Sequence, residues 1–181
     1  MVTAAGTLSL IEDVLRDTLA DSATFRAVCG AADRTAALAR IHLERLPDPA
    51  DEAEVYSRAE MEAYWPYAIV ATDTEEGASY RRDAASSWLV DATLWLMLGR
   101  QVPDGYDDAQ ADLEFKNYVG KILDELCDLA DTGEADGVSY LQFVSMDVIA
   151  GPFRSIEDDV AGKGEEQAVI VAVKVENVVK S

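Results

Sequence analysis

Residues that usually build metal or catalytic sites are scarce in this sequence. There is one histidine, His42, and there are two cysteines, Cys29 and Cys127, which lie far apart along the chain. A single histidine with no cysteine nearby gives no zinc or iron ligand set, and the cysteine spacing fits neither a disulfide framework nor a metal site. We therefore expect no bound metal, and we expect both cysteines to be small core residues in a reducing compartment.

Sequence motifs for catalysis or cofactor binding are also missing. No Gly-x-Ser-x-Gly elbow is present, and Gly162-Lys163-Gly164 lacks the other residues of a phosphate-binding loop. Residues 131–142 resemble a calcium-binding loop, but Gly133 and Ala135 stand where oxygen ligands belong and Gln142 replaces the bidentate glutamate. The sequence thus predicts no catalytic residue and no cofactor.

Long apolar runs are absent as well. The first fifteen residues carry no Lys or Arg and include Glu12 and Asp13, so they do not resemble a secretory signal. The longest apolar runs, such as residues 94–98, are far shorter than the roughly 20 residues that span a bilayer. We expect neither export nor membrane insertion.

Positive charge is the last scarce property. The 181 residues include 15 Lys and Arg against 35 Asp and Glu, which gives a formal net charge of −20. Such a surface repels the phosphates of nucleic acids and anionic lipids, so tight binding to either is not expected. The hydrophobic content of 49% distinguishes the chain from disordered acidic segments and predicts one domain over residues 1–181 with a real core.

The hydrophobic pattern predicts an α+β fold with a mixed or mainly antiparallel sheet of about five strands and helices packed on one face. The clearest element is a long helix in which Phe115, Val119, Ile122 and Leu126 recur at helical spacing. An acidic, Ala-rich insertion at about 48–63 fits either a surface helix or a loop, and residues 151–167 fit a flexible hairpin tip. The other predicted elements are helices at 8–19 and 22–29 and strands at 40–45, 66–71, 86–98, 141–151 and 168–179.

This order of elements resembles the tail terminator family of long-tailed bacteriophages. The resemblance covers most of the chain. Its features are the opening helix at 8–19, the strand at 40–45 that closes on Leu46-Pro47, the strand Pro66-Tyr67-Ala68-Ile69-Val70, the Trp-rich strand, the long helix at 113–130 and the Val-rich last strand. The insertion at 48–63 and the tip at 151–167 depart from the shorter members of the family.

The resemblance implies a structural virion protein of the neck region that is assembled in the host cytoplasm and is not an enzyme. Such a protein forms a ring, usually of six subunits, that docks on the last ring of the tail tube protein, stops polymerisation and joins the tail to the head connector or stopper protein. DNA would pass through the bore without specific binding, as an acidic wall favours. Because like-charged subunits repel, ring contacts would need apolar patches or local acid-base pairing. The candidate interface residues are Arg81, Arg82, Arg100, Phe153, Arg154, Lys163 and Lys174.

Three other functions remain open at this stage. The chain could be another head-tail joining protein, such as a stopper or head-completion protein. It could also be an acidic adaptor or inhibitor that binds a basic DNA-binding protein. An enzyme that uses carboxylates alone would require a concave site with a strongly perturbed acid.

Overall fold

The chain forms an α+β structure, as the sequence predicts. The computed structural model describes residues 7–47, 58–73, 75, 77–82, 88–102, 105–130, 141–155 and 166–179. The helices in this part are α1 (Thr7–Asp21), α2 (Ala23–Val28), α3 (Arg34–Leu38), α4 (Arg58–Tyr64) and α5 (Asp108–Ala130). The strands are β1 (Ile41–Leu43), β2 (Tyr67–Thr72), β3 (Ala78–Arg82), β4 (Trp88–Gln101), β5 (Leu141–Ser155) and β6 (Glu166–Val179).

All six described strands belong to one mixed sheet. Its order is β1-β2-β4-β6-β5, and β3 pairs with the first half of β4 on the same side as β2. Only the β1–β2 pair is parallel; the other pairs are antiparallel. Among the described strands, β3 and β5 therefore lie at opposite edges of the sheet, each with a single partner.

The core lies between the helices and one face of the sheet. In α5, Phe115, Val119, Ile122 and Leu126 are buried, because their spacing puts all four on one side of the helix. The matching side chains of α1 and the alternate residues of the central strands complete this cluster: Ile11, Leu15 and Leu19 from α1, Leu94, Leu96 and Leu98 from β4, and Val171 and Val173 from β6.

The structure differs from the sequence-based elements in three places. It adds α3 and the five-residue edge strand β3. At the end of the predicted insertion it has the surface helix α4, one of the two expected possibilities, and residues 48–57 lie outside the described residues. The predicted tip at 151–167 is too long, because β5 and β6 continue to pair as far as Ser155 and Glu166. Residues 156–165 lie outside the described part of the chain.

Candidate functional site

A groove of about 290 Å³, which we call the sheet groove, crosses the sheet from β3 to β5. Asp91, Lys174 and Glu176 line the groove, and Arg81 of β3 forms ion pairs with both of these acids. The pairing of β4 with β6 brings these residues together. Asp91 lies opposite Glu176, and Thr93, two residues further along the same face of β4, lies opposite Lys174. The other lining residues are Gly77, Ser79, Ala92, Thr93, Val144 and Val175.

Arg81 links three strands across this groove. Its Nε lies 2.9 Å from Asp91 Oδ2, and its Nη2 lies 2.9 Å from Glu176 Oε1. The Arg81 side chain is 56% exposed, so the two ion pairs lie at the surface, where solvent weakens them. Two predicted interface residues, Arg81 and Lys174, are thereby brought together with two acids in a patch whose formal charges cancel.

A second unusual surface lies at the outer edge of β5. Val144, Val148 and Ile149 are 60%, 53% and 47% exposed. The pairing of β5 with β6 shifts register between Phe143 and Ser145 and again between Val148 and Ala150, so Val144 and Ile149 are bulge residues. A bulge turns a side chain away from its regular position, and here it directs β-branched apolar groups outward. We call Val144, Val148 and Ile149 the apolar edge.

An apolar groove adjoins the apolar edge. Its volume is about 180 Å³, and it lies between α5 and the strands β5 and β6. Gly120 opens the helix side of the groove, since a Cβ placed there would meet nothing within 4 Å. The lining residues are Phe115, Lys116, Val119, Gly120, Leu123, Val148, Gly151 and Val169.

The remaining predicted interface residues have different positions. Arg100 is buried: its guanidinium donates to Gln167 Oε1 at 3.2 Å and to the Ala111 carbonyl at 3.0 Å. Arg82 is exposed on β3. Phe153 and Arg154 lie in a part of β5 for which only the backbone is described. Lys163 lies outside the described residues. The structure therefore brings Arg81 and Lys174 together. Arg82 is exposed next to Arg81 in β3, whereas Arg100 is buried.

The titratable side chains near α1 and β1 are engaged in structure. Glu12 is buried and its carboxylate accepts hydrogen bonds from the amide and the hydroxyl of Thr72. The pKa of Glu44 is raised, first by burial and then by the charge of Glu12, with which it shares a hydrogen bond. Burial also lowers the pKa of His42, with a further contribution from Arg40. The bonds between Glu12 and Thr72 join α1 to β2, whereas the shifted pKa values of Glu44 and His42 show that their charged forms are disfavoured at this place.

Comparisons with known proteins add no assignment. A scan of family models and a search of curated proteins both find no match to this chain. Within the described ranges, no group of three or more His, Cys, Asp and Glu side chains could hold a metal ion, and no helix has the length and apolar character to cross a membrane.

Proposed function

We propose that this chain is a structural tail terminator of a long-tailed bacteriophage, which forms a ring on the end of the tail tube and joins it to the head connector. The observation that carries this proposal is the apolar edge. Three aliphatic side chains within six residues are about half exposed or more, on a chain with a net charge of −20. Clusters of exposed apolar side chains of this kind mark protein contacts.

The charge distribution favours an acidic partner at this edge. β5 contains one acid, Asp147, and one base, Arg154, whereas the chain as a whole has more than twice as many acids as bases. A basic partner would be drawn to the acidic faces of the molecule, while another copy of this chain can approach closely only where the charge is low. The apolar edge and the charge-balanced sheet groove meet this condition.

The order of elements supports the same function. The opening helix α1, the long helix α5 and the Val-rich last strand β6 agree with the pattern on which the family resemblance rests. In this proposal the acidic wall lets DNA pass, because its phosphates meet like charge and release no counterions onto Lys or Arg.

Imaging and mass measurement test this function directly. The purified chain should form rings, or should form them on the ends of assembled tail tubes, when examined by negative-stain electron microscopy and light scattering. Val148→Asp should abolish ring formation, because it puts a charge on the apolar edge. Leu113→Asp is the matched control, since Leu113 is a 63% exposed aliphatic residue on α5.

Three results would contradict the proposal. The first is a chain that stays monomeric and never caps tube ends. The second is docking on the head connector with no affinity for the tube, which would indicate a stopper. The third is a salt-sensitive complex with a basic DNA-binding protein, which would indicate an adaptor.

A further inference from the structure

We infer that the outward side of α5 is a second contact surface, on which α5 of another copy packs antiparallel with Gly120 of both helices at the centre. The partner is a second copy of this chain. The contact uses neither the apolar edge nor the sheet groove, so it does not depend on the proposed ring. The residues on this side of the helix and their spacing point to this partner.

The outward side of α5 is open to solvent. The core residues of the helix, from Phe115 to Leu126, face the sheet, and Glu125 joins one flank of the helix to the start of α2. On the opposite side Leu113 is 63% exposed, which makes it the most exposed large hydrophobic residue in the described part of the chain. This side of the helix therefore has room for a partner.

Five residues centred on Gly120 point in nearly one direction from the helix axis. Successive residues turn by about 100°, so Leu113 and Cys127 lie within about 20° of Gly120, and Lys116 and Asp124 lie about 40° to either side. The four side chains are exposed. Gly120 has no side chain, and a Cβ placed there would meet nothing within 4 Å. We call Leu113, Lys116, Gly120, Asp124 and Cys127 the α5 face.

The spacing of the α5 face is symmetric about Gly120. Lys116 and Asp124 lie four residues before and after it, and Leu113 and Cys127 lie seven residues before and after it. In two antiparallel helices that cross at Gly120, each residue meets the one at the same distance on the other side. Lys116 then faces the partner's Asp124, and the reverse contact repeats it. Each Leu113 likewise packs on the partner's Cys127.

The glycine and the charges select this arrangement. Packed helix axes lie about 8–10 Å apart, depending on the side chains at the crossing point, so a glycine there permits a close approach. Lys116 stands only about 6 Å along the axis from the centre, where its long side chain reaches the partner's Asp124. A parallel pair in the same register would instead put Lys116 against Lys116 and Asp124 against Asp124. Electrostatic repulsion therefore disfavours the parallel pair.

The α5 face is neutral although the molecule is strongly acidic. It contains one base, Lys116, and one acid, Asp124, on a chain with a formal net charge of −20. A purely acidic or purely basic partner would pair with only one of these two groups, whereas a second copy of the same helix pairs with both. Because other parts of the surface repel another copy, a face whose charges cancel between copies favours self-contact.

The contact produces a pair and no larger assembly. Each copy uses the same face, so a two-fold contact leaves no free face for a third copy. Two helix faces bury less surface than the roughly 1,200 Å² at which stable interfaces begin. The pair should therefore form in concentrated protein and dissociate on dilution.

Disulfide trapping tests the register of the pair. Leu113→Cys puts a thiol opposite the partner's Cys127, so mild oxidation of concentrated protein should give disulfide-linked dimers on a non-reducing gel. Wild type should not give them, because the two Cys127 thiols of a pair lie about 21 Å apart along the helices, too far for a disulfide. Lys121→Cys is the matched control, since Lys121 is exposed on α5 but points about 100° away from Gly120.

Charge exchange tests the two ion pairs. Lys116→Asp and Asp124→Lys should each weaken pairing by about 10-fold or more, measured by sedimentation equilibrium. The double variant should restore pairing, because the same contacts form again with their charges exchanged. Lys121→Asp changes the net charge as much as Lys116→Asp does and should affect pairing far less. Gly120→Leu should abolish pairing by holding the helices apart, and circular dichroism would establish that each variant is folded.

The results separate this inference from the proposed ring. Leu113→Asp should abolish the pair and leave rings on tube ends intact, whereas Val148→Asp should abolish rings and leave the pair. Equal disulfide yields from Leu113→Cys and Lys121→Cys, or a double charge variant as weak as the single ones, would overturn the α5 contact. Rings without the pair would contradict this inference alone, and a pair without rings would contradict the proposed function alone.

Discussion

At the scale of single residues, the Glu125 carboxylate links α5 to the start of α2. Its carboxylate accepts from Ser22 Oγ at 2.6 Å and from both the amide and the hydroxyl of Thr24. Ser22 in turn caps α2 by accepting from the Phe25 amide at 3.0 Å. A six-residue helix is not stable alone, so this contact between α5 and α2 holds it in position.

Replacing Glu125 tests this role and its dependence on pH. Glu125→Ala should lower the free energy of unfolding by about 1–3 kcal/mol at pH 7, because it leaves Ser22 and Thr24 without their acceptor. Burial alone would raise the pKa of Glu125, but the hydrogen bonds from Ser22 and Thr24 outweigh it and lower the pKa. The stabilisation by Glu125 is therefore present above the pKa of an unfolded glutamate, about 4.3. It is lost as the pH falls through the lower pKa that Glu125 has in the folded protein.

Urea unfolding of both proteins between neutral pH and pH 3 measures this effect. The difference between wild type and Glu125→Ala should shrink toward acid, whereas Asp124→Ala should resemble wild type throughout. A difference that stays constant with pH would show that the charge of Glu125 does not contribute.

The two cysteines should react at very different rates. Burial raises the pKa of Cys29 to about 12, against a smaller opposite effect of Arg40, so its thiol is protonated near pH 8. Cys127, which sequence analysis expects in the core, is instead exposed on α5. Because the thiolate is the nucleophile, a colorimetric disulfide reagent should modify one thiol per chain rapidly and the second only after unfolding. Cys127→Ser should remove the rapid phase; a rapid phase that survives this change would contradict the assignment.

At the scale of elements, Arg100 joins β4 and β6 to α5. Besides its bonds to Gln167 and Ala111, its guanidinium lies 5.1 Å from the centre of the Phe115 ring. Gln167 is fully buried, and its side-chain nitrogen Nε2 donates to Asp112 Oδ1 at 2.8 Å. Its side-chain oxygen Oε1 accepts from Arg100. The network fixes the start of the long helix against the sheet.

Arg100→Met should therefore destabilise the fold by about 2–4 kcal/mol, because it leaves the Gln167 oxygen without its donor in a buried site. Urea denaturation measures the loss. Arg82→Met is the matched control, since this exposed arginine should change stability by less than about 0.5 kcal/mol. Equal effects of the two substitutions would contradict the structural role of Arg100.

The elements that sequence analysis found are those with a strong apolar period. α5 repeats Phe115, Val119, Ile122 and Leu126, and β4 alternates Leu94, Leu96 and Leu98 with outward residues, so spacing alone identifies helix and strand. α3 and β3 were missed because their sequences, Arg-Thr-Ala-Ala-Leu and Ala-Ser-Tyr-Arg-Arg, contain too few apolar residues to show a period.

The candidate site was predictable only in part. Sequence analysis selected Arg81 and Lys174 as cations for acid-base pairing, but the Arg81–Glu176 contact joins residues 95 positions apart and depends on strand pairing. The same analysis could not separate buried Arg100 from exposed Arg82. The apolar edge was missed because bulges, which no pattern in the sequence reveals, turn Val144 and Ile149 outward.

At the scale of the whole molecule, charge should control assembly. Two chains that each carry −20 repel one another over distances at which a single ion pair contributes little. Raising the salt concentration shortens the screening length from about 20 Å or more at low salt to less than about 8 Å. Self-association should therefore strengthen from about 0.02 M to about 0.3 M salt, as sedimentation velocity would show. Association that weakens over this range would mean that ion pairs, and not apolar contacts, hold the copies together.

The arrangement of β3 and β5 on one sheet has a geometric consequence. The strands β4 and β6 separate these edges, and each neighbouring pair of strands adds a twist of about 20–25°. In a ring that closes through the two edges, this accumulated twist sets the turn from one subunit to the next and so the number of subunits in the circle. A substitution inside β4 that flattens the sheet would then widen the channel without altering a single contact between neighbours.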